Sequence, residues 1–370
     1  MNEDKSTRYH RLRRRSAIAA VALSAVIFVV LLASGLSTVL ANFARGVSRA
    51  EPNTYSALAV ALYVVIVAAL HEGITFPLAF YQGFVLEQRY GLSKESPGGW
   101  FADRVKAAVL ALVLSVSAAE VIYLSMRFST TWWWALTAGV FIVAIAALTR
   151  AAPVLLLPLF YRFTPMSRES LRNRLVLLSQ KAGVPVLGVY EWALGEKSRR
   201  ANAALVGSGS TRRILLSDTL LAEYSEDEIE VILAHEIAHH VHHDIRNAFM
   251  AEAALLIVAL YAAATILALS WARLGLSGVA DIAGLPVLVL AAGALTTLAA
   301  PLINAVSRRN ERRADRFAIT ITRQPAAFIS AMKRLGTQNL AEEHPSRLVL
   351  WLFHSHPPIE QRIEAARSFL

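Results

Sequence analysis

Two histidines with a neighbouring glutamate are the strongest chemical signal in this sequence. His235 and His239 are four positions apart, and Glu236 directly follows the first. On a helix, both imidazoles would share a face and could bind one metal ion. Glu236 could then take a proton from water beside the metal. The pattern predicts a zinc site of the hydrolytic type, with a histidine-rich exposed helix as the alternative, because three more histidines follow closely.

The residues before these histidines carry the start signals of a helix. Ser225 is a candidate N-cap, and Glu228 stands where it completes a capping box. The sequence therefore predicts one helix over residues 226–243 that presents both imidazoles.

The composition predicts that this helix belongs to a membrane protein. Hydrophobic residues make up 55% of the chain and charged residues 17%. The mean hydropathy is +0.46. A membrane-spanning helix needs about 20 apolar residues. Six stretches are long enough to span a bilayer: residues 17–41, 55–81, 105–126, 132–161, 248–271 and 285–306. The fourth stretch is either one kinked helix or a helix with a re-entrant piece, and the first is a signal anchor preceded by a short basic tail over residues 1–16.

The net charge of +10 follows the membrane topology. Arginines before the first span place the N-terminus in the cytoplasm. With six spans, the other basic segments fall on the same side: residues 89–106, 162–174, 197–213 and 308–316. This layout argues against nucleic acid as a partner. The chain has no cysteine, so a metal site must use histidine and carboxylate ligands.

A third metal ligand is expected just after the last span, where the chain returns to the membrane face of the zinc helix. Glu311 and Asp315 are four positions apart there and would project from one helix face. We assign Glu311 as the third ligand and Asp315 as the carboxylate that accepts an imidazole N–H. The alternative is a charged helix whose acids neutralise its own arginines.

Candidate substrate-binding residues lie on either side of the zinc helix. Asn202, Ala203 and Ala204 belong to a short predicted strand over residues 201–206, whose edge could pair with an extended peptide. The Asn202 amide could donate a hydrogen bond. His356 and Arg362 could supply positive charge to a tetrahedral intermediate. An ordinary strand and a surface histidine are the respective alternatives.

The predicted fold class is a mostly α polytopic membrane protein with about six spans around a chamber. A cytoplasmic zincin-like subdomain contains a small β-sheet. Its strands are expected at residues 186–192, 201–206 and 213–217, after an amphipathic helix over 167–182. Four regions follow: residues 1–163 with four spans, 164–246 with the substrate strand and zinc helix, 247–306 with two spans, and 307–370 with the third ligand. Ionisable residues inside spans favour a polar chamber, with placement near span ends as the alternative; they are His71, Glu72, Glu120, Arg150 and Glu252.

The order of these motifs resembles a known family. HEIAH is followed by two spans, then SRRNExxAD, then SHPP and Arg362. This order resembles the integral-membrane zinc metalloproteases called CAAX prenyl endopeptidases. Further similar segments lie at residues 84–93, 158–166 and 201–221, so the resemblance covers about residue 76 to the C-terminus.

The resemblance implies one zinc ion bound by His235, His239 and Glu311, with Glu236 as general base. It also implies that Asp315 supports the ligands, that the strand around Asn202 binds substrate backbone, and that His356 and Arg362 assist the transition state. The compact chain is typical of a bacterial plasma-membrane member with both termini in the cytoplasm. Farnesylated proteins are not expected in bacteria, so the hydrolytic chemistry, rather than a prenylated substrate, is what carries over.

The expected activity is therefore endopeptidase cleavage of membrane-associated or lipidated proteins or peptides. One alternative is a heat-shock-type membrane quality-control protease, which has fewer spans before its zinc helix. An alternative of another class is a transporter or lipid-binding protein with a degenerate metal site, which the intact ligand set disfavours.

Overall fold

Long apolar helices form the membrane part of the protein. The computed structural model describes residues 4–49, 55–207 and 209–370. Within these ranges, six helices are long and apolar enough to cross a membrane, as the sequence predicted. Of the most apolar stretch in each helix, between 6% and 33% of the residues are buried. The other residues of these stretches are partly or fully exposed, as expected for helices that face lipid or an interior chamber.

The helices of the described ranges are numbered in chain order. Those of the N-terminal half are α1 Lys5–Ala33, α2 Leu36–Ser48, α3 Ala57–Phe80, α4 Leu86–Arg89, α5 Pro97–Phe128, α6 Trp133–Leu155 and α7 Glu169–Lys181. Those of the C-terminal half are α8 Asp218–Glu223, α9 Glu226–Val241, α10 Asp244–Ser270, α11 Leu285–Thr322, α12 Pro325–Gln338, α13 Arg347–Phe353 and α14 Ile359–Arg367.

The described strands form one four-stranded sheet beside the membrane helices. They are β1 Phe163–Pro165, β2 Gly188–Trp192, β3 Ala203–Val206 and β4 Arg213–Ser217, in the order β1-β2-β4-β3. The pair β2 and β4 is parallel, and the two outer pairs are antiparallel. The predicted small sheet is confirmed, and β1 is an addition that the sequence did not reveal.

The first span differs from its predicted bounds. Hydropathy placed it over residues 17–41, but α1 ends at Ala33, and Gly35 follows with a left-handed φ of +72°. Glycine adopts this conformation without steric cost, which allows the chain to turn into the 13-residue helix α2. The basic tail is also helical from Lys5 onward, with Asp4 as its N-cap, so α1 projects well beyond the membrane core.

Of the three prolines in the interior of the described membrane helices, two lie where the helix changes or ends. Pro77 in α3 precedes a π-helical turn over Tyr81–Val85, which joins α3 to α4. Pro153 lies at the end of α6, which stops at Leu155 before a short 3-10 turn. A proline removes a backbone donor and weakens the helix around it. The fourth span is therefore one helix that ends early, and residues 157–161 are outside it.

Charged contacts mark the two ends of the bundle. At one end, Arg200 binds Glu87 at 2.9 Å, which joins the segment after α3 to the segment before β3. At the other end, Arg45 of α2 pairs with the buried Asp281. The basic segments at residues 89–106 and 197–213 therefore lie at the same end of the bundle, as the even span count predicted.

Most of the ionisable residues predicted inside spans have polar partners. The hydrogen bonds are His71 to Ser24 at 2.9 Å, Glu72 to Arg104 at 2.9 Å, and Glu120 to Tyr55 at 2.5 Å. The remaining two, Arg150 and Glu252, are exposed.

Helix α11 is the element that connects the membrane to the candidate site. It contains 38 residues, so it is about 57 Å long, against a hydrocarbon core of about 30 Å. Its C-terminal part extends beyond the bilayer and packs against α9. Pro301 lies inside the helix, between its apolar part and the residues that reach the site.

Helix α9 lies at the centre of a hydrophobic core that the sheet and the surrounding helices form. Ser225 and Glu228 form the predicted capping box, so the helix begins where the sequence indicated. Ile229, Leu233 and Ile237 are fully buried and pack α9 onto its neighbours. Because the buried face fixes the rotation of the helix, the histidines are held at a defined position.

Candidate metal centre

His235 and His239 lie one turn apart on α9 and face the same side. Their ring centroids are 5.0 Å apart, with the planes nearly perpendicular. His235 is buried, and His239 is partly exposed. The capping box and the buried apolar face of α9 are what fix this pair.

Glu311 of α11 completes a three-residue group with the two histidines. Its Oε2 lies 3.2 Å from His235 Nε2, and its Oε1 lies 3.4 Å from His239 Nε2. Ligand atoms in a tetrahedral zinc site, each about 2.0–2.2 Å from the metal, lie about 3.3 Å apart. Glu311 is buried, and its carboxylate faces imidazole nitrogens. Both the spacing and this donor set of two imidazoles and one carboxylate fit a zinc ion.

Asp315 and Arg362 lie behind His235. Asp315 Oδ1 accepts from His235 Nδ1 at 2.9 Å. Arg362 donates from Nε and Nη2 to Asp315 at 2.9 and 2.6 Å. Among the described contacts, the arginine that binds Asp315 is Arg362 of α14, while Arg308 and Arg313 of α11 bind other groups. These contacts disagree with the alternative of a charged helix whose acids neutralise its own arginines.

Asp244 plays the corresponding part for His239, and the sequence reasoning missed it. Its Oδ2 lies 2.9 Å from His239 Nδ1, and Arg313 binds its other oxygen. His243, with a left-handed φ of 56°, turns the chain so that Asp244 folds back toward α9. The sequence does show an aspartate five residues after His239. It indicates a partner for that histidine only when the turn at His243 is known.

The protonation behaviour of the site follows from burial. Burial raises the pKa of Glu236, partly offset by the neighbouring histidines. Burial also opposes the charged form of His235, but the hydrogen bonds that it donates to Asp315 and Glu311 reverse this and raise its pKa to about 9. A carboxylate with a raised pKa is suited to accept and return a proton near neutral pH.

His356 and Arg362 both lie near Glu311, but their side chains differ in burial. His356 Nδ1 lies 2.8 Å from Glu311 Oε2, although 62% of its side chain is exposed. Arg362 is largely buried, and its Nη2 lies 4.0 Å from the same oxygen. The structure thus brings both predicted residues to the site. Arg362 is committed to Asp315, whereas His356 is accessible from outside.

The predicted substrate strand β3 is an edge strand packed against α9. The Asn202 N–H donates to Ser217 Oγ, and its carbonyl accepts from the Ser217 N–H, each at 2.9 Å. The Asn202 side chain is exposed. Ala204 pairs with Leu215 of β4, and Ala203 with Leu216. In the described part of the chain, no strand covers the outer edge.

One histidine beyond the predicted set contacts that edge. His240 Nε2 lies 3.0 Å from the Leu205 carbonyl, so this edge acceptor is already occupied. A peptide added to β3 would therefore pair next to Ala203 rather than along the whole strand.

Comparison with known proteins supports the chemistry that this geometry indicates. Residues 165–370 match the model of peptidase family M48. Residues 2–162 match the model described as CAAX prenyl protease N-terminal, five membrane helices. Four long helices and the short α2 occupy the described part of this second region.

Several relatives agree with these matches. A protein of Bacillus subtilis (strain 168) named "Uncharacterized metalloprotease YhfN" is 29% identical over 361 residues, which cover 94% of this chain and 81% of that protein. CAAX prenyl protease 1 of Saccharomyces cerevisiae is 31% identical over 182 residues, 48% of this chain and 39% of that protein.

A solved structure shares the fold. The crystal structure of S. mikatae Ste24p matches with a TM-score of 0.86, covering 98% of this chain and 88% of that one, at 21% identity. The similarity to Ste24p shows the membrane architecture, and the M48 match covers more than half of the chain. The chain therefore belongs to peptidase family M48 and is a membrane-embedded zinc metalloendopeptidase homologous to the CAAX prenyl proteases.

Proposed function

We propose that His235, His239 and Glu311 bind one zinc ion per chain and that Glu236 is the general base of peptide-bond hydrolysis. The observation that supports this most directly is the convergence of the three ligand side chains to within 4.8 Å from two separate helices. When bound, zinc would polarise the scissile carbonyl and acidify the attacking water.

The other site residues act around that step. Glu236 takes a proton from the attacking water and delivers it to the leaving amine. Asp315 and Asp244 each hold one histidine in the tautomer that leaves Nε2 free for the metal. His356, accessible and next to Glu311, donates a hydrogen bond to the developing oxyanion. Arg362 holds Asp315 and adds positive charge behind the ligands.

The substrate binds as an added strand on the edge of β3. Ala203 offers its backbone at the free edge, Ala204 stays paired with β4, and the Asn202 amide reaches toward the peptide. A cavity lined by Asn202 together with Ala17 of α1 and Ala79 of α3 suits a membrane-associated or lipidated protein or peptide. The match of residues 2–162 to the CAAX protease N-terminal model favours this class over a quality-control protease.

We place the site on the cytoplasmic face of a bacterial plasma membrane. The arginine-rich end of α1 contacts the same end of the bundle as the metal centre, and the positive-inside rule assigns that end to the cytoplasm. Because the chain has no cysteine, single cysteines at exposed Glu343 and Thr130 would report the two faces. A membrane-impermeant maleimide added to intact cells should label Thr130→Cys only, and the reverse pattern would overturn the orientation.

The activity is tested with purified protein in detergent. Wild type and Glu236→Gln are given a peptide library with zinc present, and zinc content is measured in both. We expect one zinc per chain in each protein and cleavage by wild type alone. His344, exposed and outside the site, provides the control variant His344→Ala, which should match wild type. Equal cleavage by wild type and Glu236→Gln would refute the mechanism, and zinc binding without cleavage by either would favour a binding protein.

A further inference from the structure

The N-terminal end of α1 contacts the C-terminal part of the chain along one face. Ser6 Oγ donates to the Ala341 carbonyl at 2.7 Å. One turn later, His10 Nε2 lies 2.7 Å from the Leu340 carbonyl. These contacts join residues more than 300 positions apart, so α1 is docked onto the segment that follows α12.

The next residue of this face, Arg14, makes an ion pair that is largely removed from water. Its guanidinium forms two hydrogen bonds with Glu342, one of them at 3.1 Å to Oε1. The Glu342 side chain is 4% exposed and that of Arg14 is 18% exposed. Glu342 also accepts from His354 Nε2 at 3.1 Å. Removing the cation from a buried carboxylate strongly destabilises the folded protein. The Arg14–Glu342 pair is therefore expected to hold α1 against the segment that contains Glu342.

His354 stands two residues before His356, which reaches Glu311. The backbone between them is held from the other side by Arg308, which donates to the His354 carbonyl at 2.5 Å and to the Leu350 carbonyl at 3.0 Å. Arg308 lies about one turn before Glu311 on α11. The side chain of His356 contacts Glu311 but is otherwise exposed, so the backbone position of His356 depends on the contacts of these neighbours.

The same end of α1 is also fixed to the substrate side of the site. Tyr9, fully buried, lies 2.5 Å from Glu87 and accepts from Arg200 at 2.8 Å. Arg200 stands two residues before Asn202. Helix α1 thus contacts both the segment just before β3 and the segment that leads to His356.

We propose that Arg14 and Glu342 are positioning residues for catalysis: their ion pair holds residues 342–356 so that His356 faces the substrate bound on β3. The proposal rests on the proposed role of His356. It also gives Arg14 a second task beyond membrane topology, because the sequence alone assigned this arginine only to the positive-inside charge.

The test compares Arg14→Gln with Arg15→Gln, using a peptide that wild type cleaves. Arg15 is the exposed neighbour, so both variants remove one positive charge from the same tail and affect topology equally. We expect Arg14→Gln and Glu342→Gln to lower kcat about tenfold with little change in KM, since misplacing a transition-state group affects kcat. Arg15→Gln should match wild type.

A second background separates positioning from general damage. In His356→Ala, adding Arg14→Gln should cause no further loss of kcat, because the group that Arg14 positions is gone. An equal fold-loss in both backgrounds would overturn the positioning role. If His356→Ala itself keeps the wild-type kcat, the proposed function of His356 fails, and this inference fails with it.

Hydrogen exchange supplies a readout that needs no substrate. Peptides covering residues 342–356 should exchange faster in Arg14→Gln than in wild type or Arg15→Gln, while peptides from α9 keep their protection. Unchanged exchange over residues 342–356 in Arg14→Gln would also refute the proposal.

Discussion

Asp244 offers a sharp test of how the metal centre is built. It is buried, with 8% of its side chain exposed, and its Oδ2 lies 2.9 Å from His239 Nδ1. Replacing it with asparagine keeps the shape but removes the negative charge that favours the Nδ1–H tautomer. Replacing it with alanine removes the acceptor altogether and leaves Arg313 without this partner.

The expected loss of zinc affinity is limited because Asp244 supports only one of the three ligands. Loss of a carboxylate behind a metal-bound histidine typically weakens metal binding about 10- to 100-fold, or roughly 1.4–2.7 kcal/mol. We expect the lower end for Asp244→Asn, whose amide oxygen can still accept, and the upper end for Asp244→Ala. Asp315→Asn should resemble Asp244→Asn, because each acid serves one histidine.

The assay is a zinc competition titration with a chelator of known affinity, followed by cleavage measured at saturating zinc. Asp227→Asn is the matched control, since this acid is exposed near the start of α9 and contacts only surface groups. Much of the cleavage activity of Asp244→Asn should return when zinc is in excess. Wild-type zinc affinity in Asp244→Ala would refute the assignment of Asp244 as a supporting acid.

Two further outcomes are expected. Glu228→Ala removes the capping box and a 2.7 Å hydrogen bond from Ser330, and should lower the free energy of unfolding by about 2 kcal/mol. Thermal unfolding in detergent measures this loss, with the exposed Glu226→Ala as control. Equal unfolding midpoints for the two variants would contradict the prediction. In the zinc-free protein, His235 with its pKa raised to about 9 contributes stability that is present below about pH 6.5 and lost as pH rises through 9. The unfolding midpoint of the zinc-free protein should therefore fall between these pH values more than that of the zinc-bound protein, and parallel curves would argue against it.

The metal centre was predictable because its signals are local or topological. Helical spacing places His235 and His239 together, and an even number of spans between His239 and Glu311 returns the chain to one membrane face. Neither inference needs a side-chain contact to be known. The same holds for β3, where a short polar-ended strand near the zinc helix was enough to suggest an edge.

What the sequence did not reveal depends on backbone turns and distant contacts. A hydropathy average over many residues does not detect a single turn residue such as Gly35. The sequence therefore predicted one span where the structure has α1 and α2. Asp244 acts through the turn at His243, which a positive φ at a non-glycine residue makes hard to foresee. The pairing of Arg14 with Glu342 spans almost the whole chain, and no periodicity in either segment indicates it.

The proline inside α11 has a mechanical consequence. The part of this helix in the bilayer and the part that carries Glu311 form one continuous helix. If the helix were stiff along its whole length, a change in membrane thickness or helix tilt would displace Glu311. Pro301 lies ten residues before Glu311, about 15 Å along the axis, and its missing backbone donor makes that point of the helix more compliant. We therefore expect α11 to bend there when the bilayer thickness changes, with little effect on the spacing of the three ligands.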